Sequence, residues 1–216
     1  MKKIILIGLA VVLFLLVCIP FVPPIYRNYT KPLWNNFWAN REWKKVDPEN
    51  TAQVRDFCKR RGYSTDYYIL VDFSIPSGQK RFFIYDLKSG RKILSSYCMH
   101  GSGAGNTDAK PKFSNEIGSG CSSLGRYIML GKGTKFKNCI RLRGLESTNF
   151  MAEARGILIH SAKKVTRFRG EKKYIPIGSE SEGCFTVSAD CMNKVMEIYR
   201  GSSSSRPVML FARYGK

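Results

Sequence analysis

Between Tyr67 and Gly101 the chain reads YYILVDFSI, the turn Pro76-Ser77-Gly78, KRFFIYDL, the turn Lys88-Ser89-Gly90, and RKILSSYCMHG. Three runs rich in β-branched and aromatic residues, broken at short intervals by Pro, Ser and Gly, define an antiparallel three-strand meander. Such a meander rules out an all-helical bundle and demands a second layer to cover its apolar face. More strand-like runs follow at GRYIMLG (Gly125 to Gly131), CIRLRGLE (Cys139 to Glu146), GILIHS (Gly156 to Ser161) and the closing PVMLFARYG. Two segments carry helical signals instead. Asn50 caps a short helix whose stripe is Val54, Phe57 and Cys58 and which Gly62 closes. Ser188 caps a longer one with Met192, Val195, Met196 and Tyr199 on one face. No internal repeat is present. The expectation is a β-dominated α+β domain, a mixed β-sheet or sandwich with short helices.

With 216 residues the chain has room for one sizeable domain and an anchor. It opens Met1-Lys2-Lys3, then IILIGLAVVLFLLVCIPFV from Ile4 to Val22, about the length a bilayer core asks of one helix. No small-x-small cleavage site follows, since the next residues are Pro23-Pro24. An uncleaved transmembrane signal anchor is expected over residues 1–25, with a cleaved signal as the alternative. Residues 26–62 then form a juxtamembrane linker and the short helix, and 63–216 the domain. Tyr29, Trp34, Phe37, Trp38 and Trp43 suit either an interfacial aromatic belt or a linker packed on the domain.

Lys and Arg outnumber Asp and Glu 36 to 16, a formal charge of +20. A surplus of that size draws polyanions: nucleic acid, anionic lipid or acidic wall polymers. Behind an export-type N-terminus, a membrane or wall surface is the better partner, and no nucleic acid is expected.

The stretch GSESEGCFT (Gly178 to Thr186) poses the chemical question. Cys184 is a nucleophile, a disulfide half or a small buried side chain. A thiol attacks as thiolate and needs a base or a positive environment, and histidine is the usual partner. The chain has two histidines. His160 stands at the exit of an apolar strand, where a buried scaffold can present it to a cleft. The tight Ser181-x-Gly183-Cys184 bend lets main-chain N–H groups converge beside the sulfur as an oxyanion hole. His100 opens the Gly-rich turn HGSGAG, either lining a cleft or serving a structural role. A zinc site of His100, His160 and Cys184 lacks ligand-type spacing. Outside the anchor, the cysteines other than Cys184 are odd in number and show no disulfide framework. The basic cluster Lys163, Lys164, Arg167 and Arg169 is a solvated face or a partner for substrate carboxylates.

The order strand–His160-Ser161, loop, Ser181-Glu182-Gly183-Cys184-Phe185, helix, strand resembles the L,D-transpeptidase (YkuD-like) domain. HGSGAGN, KFSNEIGSGCSSLGRY, RLRGLE and GILIHSA extend the match toward the murein L,D-transpeptidase catalytic-domain branch, and the first hairpin is similar too. The resemblance implies a metal-free, cofactor-free cell-wall enzyme in which Cys184 attacks a peptidoglycan stem peptide through a thioester acyl-enzyme. His160 would be the general base, oriented by a main-chain carbonyl at Ser161. The N–H groups of Gly183 and Cys184 would form the oxyanion hole, and Ser181, His100, Arg167 and Arg169 would face substrate. It further implies an inner-membrane-anchored monomer with its domain in the periplasm, forming 3-3 cross-links. The alternatives are an L,D-carboxypeptidase, a hydrolase of a peptidoglycan-linked protein, or a silent wall-binding module. Many relatives carry histidine where this chain has Glu182, a carboxylate that tends to raise the neighbouring thiol pKa.

Overall fold

Alternation along the meander is resolved into a sheet whose strands bury different faces. The computed structural model describes residues 35–215. The chain divides after Arg41 into two units, and the sheet belongs to the second. The anchor expected over residues 1–25 lies outside the described residues. No described helix is long and apolar enough to cross a membrane.

The elements run α1 (Thr51–Arg61), β1 (Tyr67–Asp72), β2 (Phe82–Asp86), β3 (Arg91–Ser96), β4 (Cys98–Met99), β5 (Gly125–Lys132), β6 (Cys139–Gly144), β7 (Leu158–Ser161), α2 (Lys163–Arg167), β8 (Phe185–Val187), α3 (Ala189–Gly201) and β9 (Met209–Arg213). Residues 35–43 are also helical. The meander forms as its sequence dictates, β1 pairing antiparallel with β2 and β2 with β3. All nine strands join one mixed sheet in the order β3-β2-β1-β9-β5-β6-β7-β8-β4. β1–β9 and β7–β8 are its parallel pairs.

Of the two expected forms, mixed sheet or sandwich, the structure has the mixed sheet, as one continuous sheet. Its two edge strands, β3 and β4, follow each other in the chain with only Tyr97 between them. The sheet thus curls to a near-barrel, and the segment read from sequence as a single strand ending at Gly101 passes from one edge to the other. Ser96 Oγ lies 3.2 Å from Ser188 Oγ across this seam.

Strand pleat sorts the side chains. Ile69, Val71, Tyr127, Ile159, Phe185, Val187 and Leu210 turn inward to the main core, where α3 adds Cys191, Met192, Val195, Met196 and Ile198. Ser188 caps α3 as its sequence signals, accepting from the Cys191 N–H at 3.3 Å.

On the outer face of β1–β9–β5, α1 and Trp43 form a second layer. The Trp43 ring lies 4.9 Å from Phe57 and 5.0 Å from Phe211. The buried Arg126 guanidinium stands 5.3 Å over Phe57 and holds Glu146 at 2.8 Å. Burial on both faces explains why β1 reads as a near-continuous apolar run. Trp43, at 6% exposure, belongs to this layer. α1 itself starts at Asn50, whose side chain accepts from the Gln53 N–H, and ends at Gly62 with φ 73°, the left-handed closure that glycine permits.

Candidate active site

β7 and β8 are parallel neighbours, with His160 paired to Thr186. Because Ile159 and Phe185 point into the core, the alternate residues face outward. His160 on β7, Thr186 on β8 and Cys184 two residues before Thr186 therefore share one outer face. Leu158 and Cys139 pack against Cys184 on that face. Loops around 133–138, 152–156 and 178–182 rise beside it and enclose a cleft of about 690 Å³, into which Cys184, His160 and Ser161 open.

Cys184 is 7% exposed. Its Sγ lies 3.9 Å from the Gly156 carbonyl. Burial pushes the thiol pKa up, and Glu182 adds to this. The Leu158 N–H, Lys135 and Arg155 oppose it. His160 Nδ1 is 3.2 Å from the Ser161 carbonyl, Nε2 is 3.2 Å from Thr186 Oγ1, and the ring stacks on Phe136 at 4.3 Å between centroids. Burial lowers the imidazole pKa, the Ser161 carbonyl opposes the shift and Lys135 reinforces it. At neutral pH the resting pair is thus a thiol beside a neutral imidazole. No hydrogen bond links them among the described residues. Catalytic hydrogen bonds are often long before substrate binds.

The bend ahead of the sulfur is held from several sides. Gly183 has φ 106°, and a Cβ there would come within 2.6 Å of the Cys121 carbonyl and 3.0 Å of Arg155 Nη2, so only glycine fits. Ser122 Oγ donates to the Gly183 carbonyl at 3.2 Å. Arg155 ties the facing loop by donating to Ser114 O at 2.7 Å and Cys121 O at 2.5 Å. Among the described residues, the Gly183 and Cys184 N–H groups have no protein acceptor.

The residues expected to face substrate separate into distinct places. Ser181 is fully buried, and its hydroxyl donates to the Cys184 carbonyl at 2.8 Å, so it braces the bend from behind. His100 is also fully buried. Its Nδ1 lies 3.0 Å from Arg81 Nη2 and its Nε2 lies 3.0 Å from the Thr107 carbonyl. A guanidinium can only donate, so Nδ1 accepts and Nε2 carries the proton. Burial, then the Arg81 charge, depresses the His100 pKa to about 4. Arg167 lines a neighbouring groove of about 290 Å³. Arg169 donates to the Thr166 and Phe168 carbonyls at 2.8 and 3.1 Å.

The cations that do line the cleft are Lys135, Arg155, Lys163 and Lys164, against Glu180 and Glu182. Lys164 pairs with Glu180 at 3.1 Å. Of these, Lys135 and Arg155 escaped sequence reasoning, as did Phe136, which also lines the cleft, and Thr186. Lys135 and Phe136 have one sequence trace, the Lys-Phe-Lys run inside a Gly- and Asn-bounded loop; Arg155 and Thr186 have none. All six cysteines of the described residues are free and buried. Among those residues no group of three or more His, Cys, Asp or Glu is placed to hold a metal ion.

A strand-borne histidine and a loop-borne cysteine thus open into one cleft on the outside of a near-closed mixed sheet. The family model for the L,D-transpeptidase catalytic domain matches residues 44–205, and the chain belongs to that family. No curated protein sequence matches the chain. Among solved structures it is similar to a mutant of the helical cell shape determining protein Pgp2 from Campylobacter jejuni, at 15% identity and a TM-score of 0.41. That likeness covers 79% of this chain, which spans 58% of the other. The family membership supports a peptidoglycan-related function.

Proposed function

We propose that the protein is a cysteine acyltransferase that forms 3-3 cross-links between peptidoglycan stems. The observation that carries this reading is the parallel pairing of β7 with β8, which brings His160 and Cys184 to one cleft. Cys184 Sγ attacks the carbonyl carbon of the third stem residue, diaminopimelate. The thiol proton passes to His160, a tetrahedral oxyanion forms against the Gly183 and Cys184 N–H groups, and one such donor is worth roughly 10²–10³ in rate. Collapse breaks the C–N bond, His160 returns the proton to the departing D-Ala amine, and a thioester remains. The side-chain amine of a second stem then attacks the thioester, and the thiol is regenerated with its proton.

The cationic lining suits the stem's carboxylates, with Lys135, Arg155, Lys163 and Lys164 in the positions expected of Arg167 and Arg169. The protein would work as a monomer with its domain in the periplasm, held by the apolar segment of residues 1–25. Attack by water in place of the amine would make it an L,D-carboxypeptidase.

Intact mass spectrometry of the full chain and of Cys184→Ala, after incubation with a carbapenem and then with tetrapeptide muropeptides, tests this. The expected result is an adduct on the wild type alone, and dimers lacking one D-Ala. Tripeptide products without dimers would move the assignment to carboxypeptidase. Folded protein that takes no adduct and turns over neither substrate would leave a wall-binding module.

A further inference from the structure

We propose that Thr186 is the positioning residue that lets His160 hold one proton or two without turning its ring. This rests on the acyl-transfer reading, because only a histidine that cycles its proton needs such a partner.

Thr186 is fully buried. Its Oγ1 sits 3.2 Å from His160 Nε2 and 3.3 Å from the Glu180 carbonyl. A hydroxyl has one proton to give and lone pairs to receive, so these two contacts cannot both be donations. The Ser161 carbonyl at Nδ1 only accepts, which places a proton on Nδ1 in either state. When His160 is neutral, Nε2 is bare and the Thr186 hydroxyl donates to it. For His160 to take the thiol proton, the hydroxyl proton first turns to the Glu180 carbonyl, which frees the Nε2 lone pair; the N–H that then forms donates to Oγ1. The ring nitrogens keep a hydrogen-bond partner in both states, and neither the ring nor the Thr186 side chain has to turn between them. The ring itself is clamped by Phe136 stacked on its face.

The surroundings make this partner consequential. The groups facing His160 are Lys135 from the loop before β6, Cys139 from β6, Cys184 from the bend before β8 and Thr186 from β8, with the Lys164–Glu180 pair and Glu182 at the rim of the cleft. Lys135 disfavours a second proton on the ring, and so does burial. Apart from Ser161, Thr186 supplies the hydrogen-bond acceptor that favours it.

The test follows the ring nitrogens of His160 by ¹⁵N nuclear magnetic resonance in the full chain across pH, alongside the rate of carbapenem acylation at Cys184. Thr186→Val, which keeps the shape and removes the hydroxyl, is expected to lower the His160 pKa by about one pH unit and to slow acylation by about tenfold or more. Thr186→Ser is expected to restore both. The wild-type chain gives an independent readout: below the imidazole pKa both ring N–H protons should exchange slowly with water, and above it one.

A Thr186→Val chain with wild-type titration and acylation would overturn the proposal, reducing Thr186 to a packing residue. Rapid exchange at Nε2 in the acidic wild type would overturn it as well, even if the valine variant failed to fold. A wild type whose ring titrates as described but which takes no acyl group would sink the acyl-transfer reading while sustaining the role of Thr186 toward the ring.

Discussion

The Cys184 thiol begins its work from an unfavourable state. Burial holds its pKa above the ordinary thiol value and Glu182 adds to the shift, so little thiolate is present near neutrality. A raised pKa means the thiolate fraction is still climbing where an exposed cysteine has levelled off. Alkylation of Cys184 by iodoacetamide, followed by peptide mapping to separate it from the other buried cysteines, should still be accelerating at about pH 10, where a free thiol of pKa ~8.5 has levelled off. Glu182→Gln removes a neighbouring negative charge and should move that curve to lower pH. A wild-type plateau reached by about pH 10, as for an ordinary thiol, would contradict the burial argument. The residue that makes this bend possible is Gly183, whose missing Cβ leaves room for the Cys121 carbonyl and Arg155.

Elements differ in how far their own sequences announce them. α1 does so fully: Asn50 and Gly62 bound it, and the buried stripe is the one its spacing predicts. Its docking rests on Phe57, fully buried among Trp43, Tyr63 and Arg126. Phe57→Ala should therefore cost about 3–5 kcal/mol by denaturant unfolding, and a loss under ~1 kcal/mol would show that α1 contributes little. β8 was not legible, because three residues have no period of their own. Pairing with β7 on one side and β4 on the other fixes it. α2 is a five-residue turn whose N-cap, Ala162, makes no side-chain hydrogen bond, so it has no start signal.

The same division runs through the site. Cys184 and His160 were legible as chemistry at the ends of recognisable elements. Thr186, Phe136 and Arg155 were not, since each acts through a contact between segments distant in sequence. His100 shows the converse: a Gly-rich turn reads like a ligand loop, whereas Arg81 holds the ring inside the fold, donating also to Cys98 O at 2.7 Å and Ile75 O at 3.1 Å.

For the whole molecule, these two histidines set an acid limit. Both folded pKa values lie below the unfolded one, that of His100 at about 4. A depressed pKa contributes stability that is complete above the unfolded value of ~6.5 and disappears as pH falls through the folded one. The thermal midpoint should thus decline between pH 6.5 and 4, and His100→Gln should flatten the decline while lowering the midpoint at neutral pH. A midpoint constant across that range would remove His100 from the account.

The position of β9 in the sheet has a consequence for how the domain comes into being. β1 and β5 do not pair with each other; each completes its ladder on β9, which follows both by a long stretch of chain. During vectorial synthesis the meander and the β5–β8 half, joined through β4 on β8, precede β9 and leave the facing edges of β1 and β5 open. The sheet is complete only when β9 fills the gap between β1 and β5, so neither half is finished while the chain is still being made.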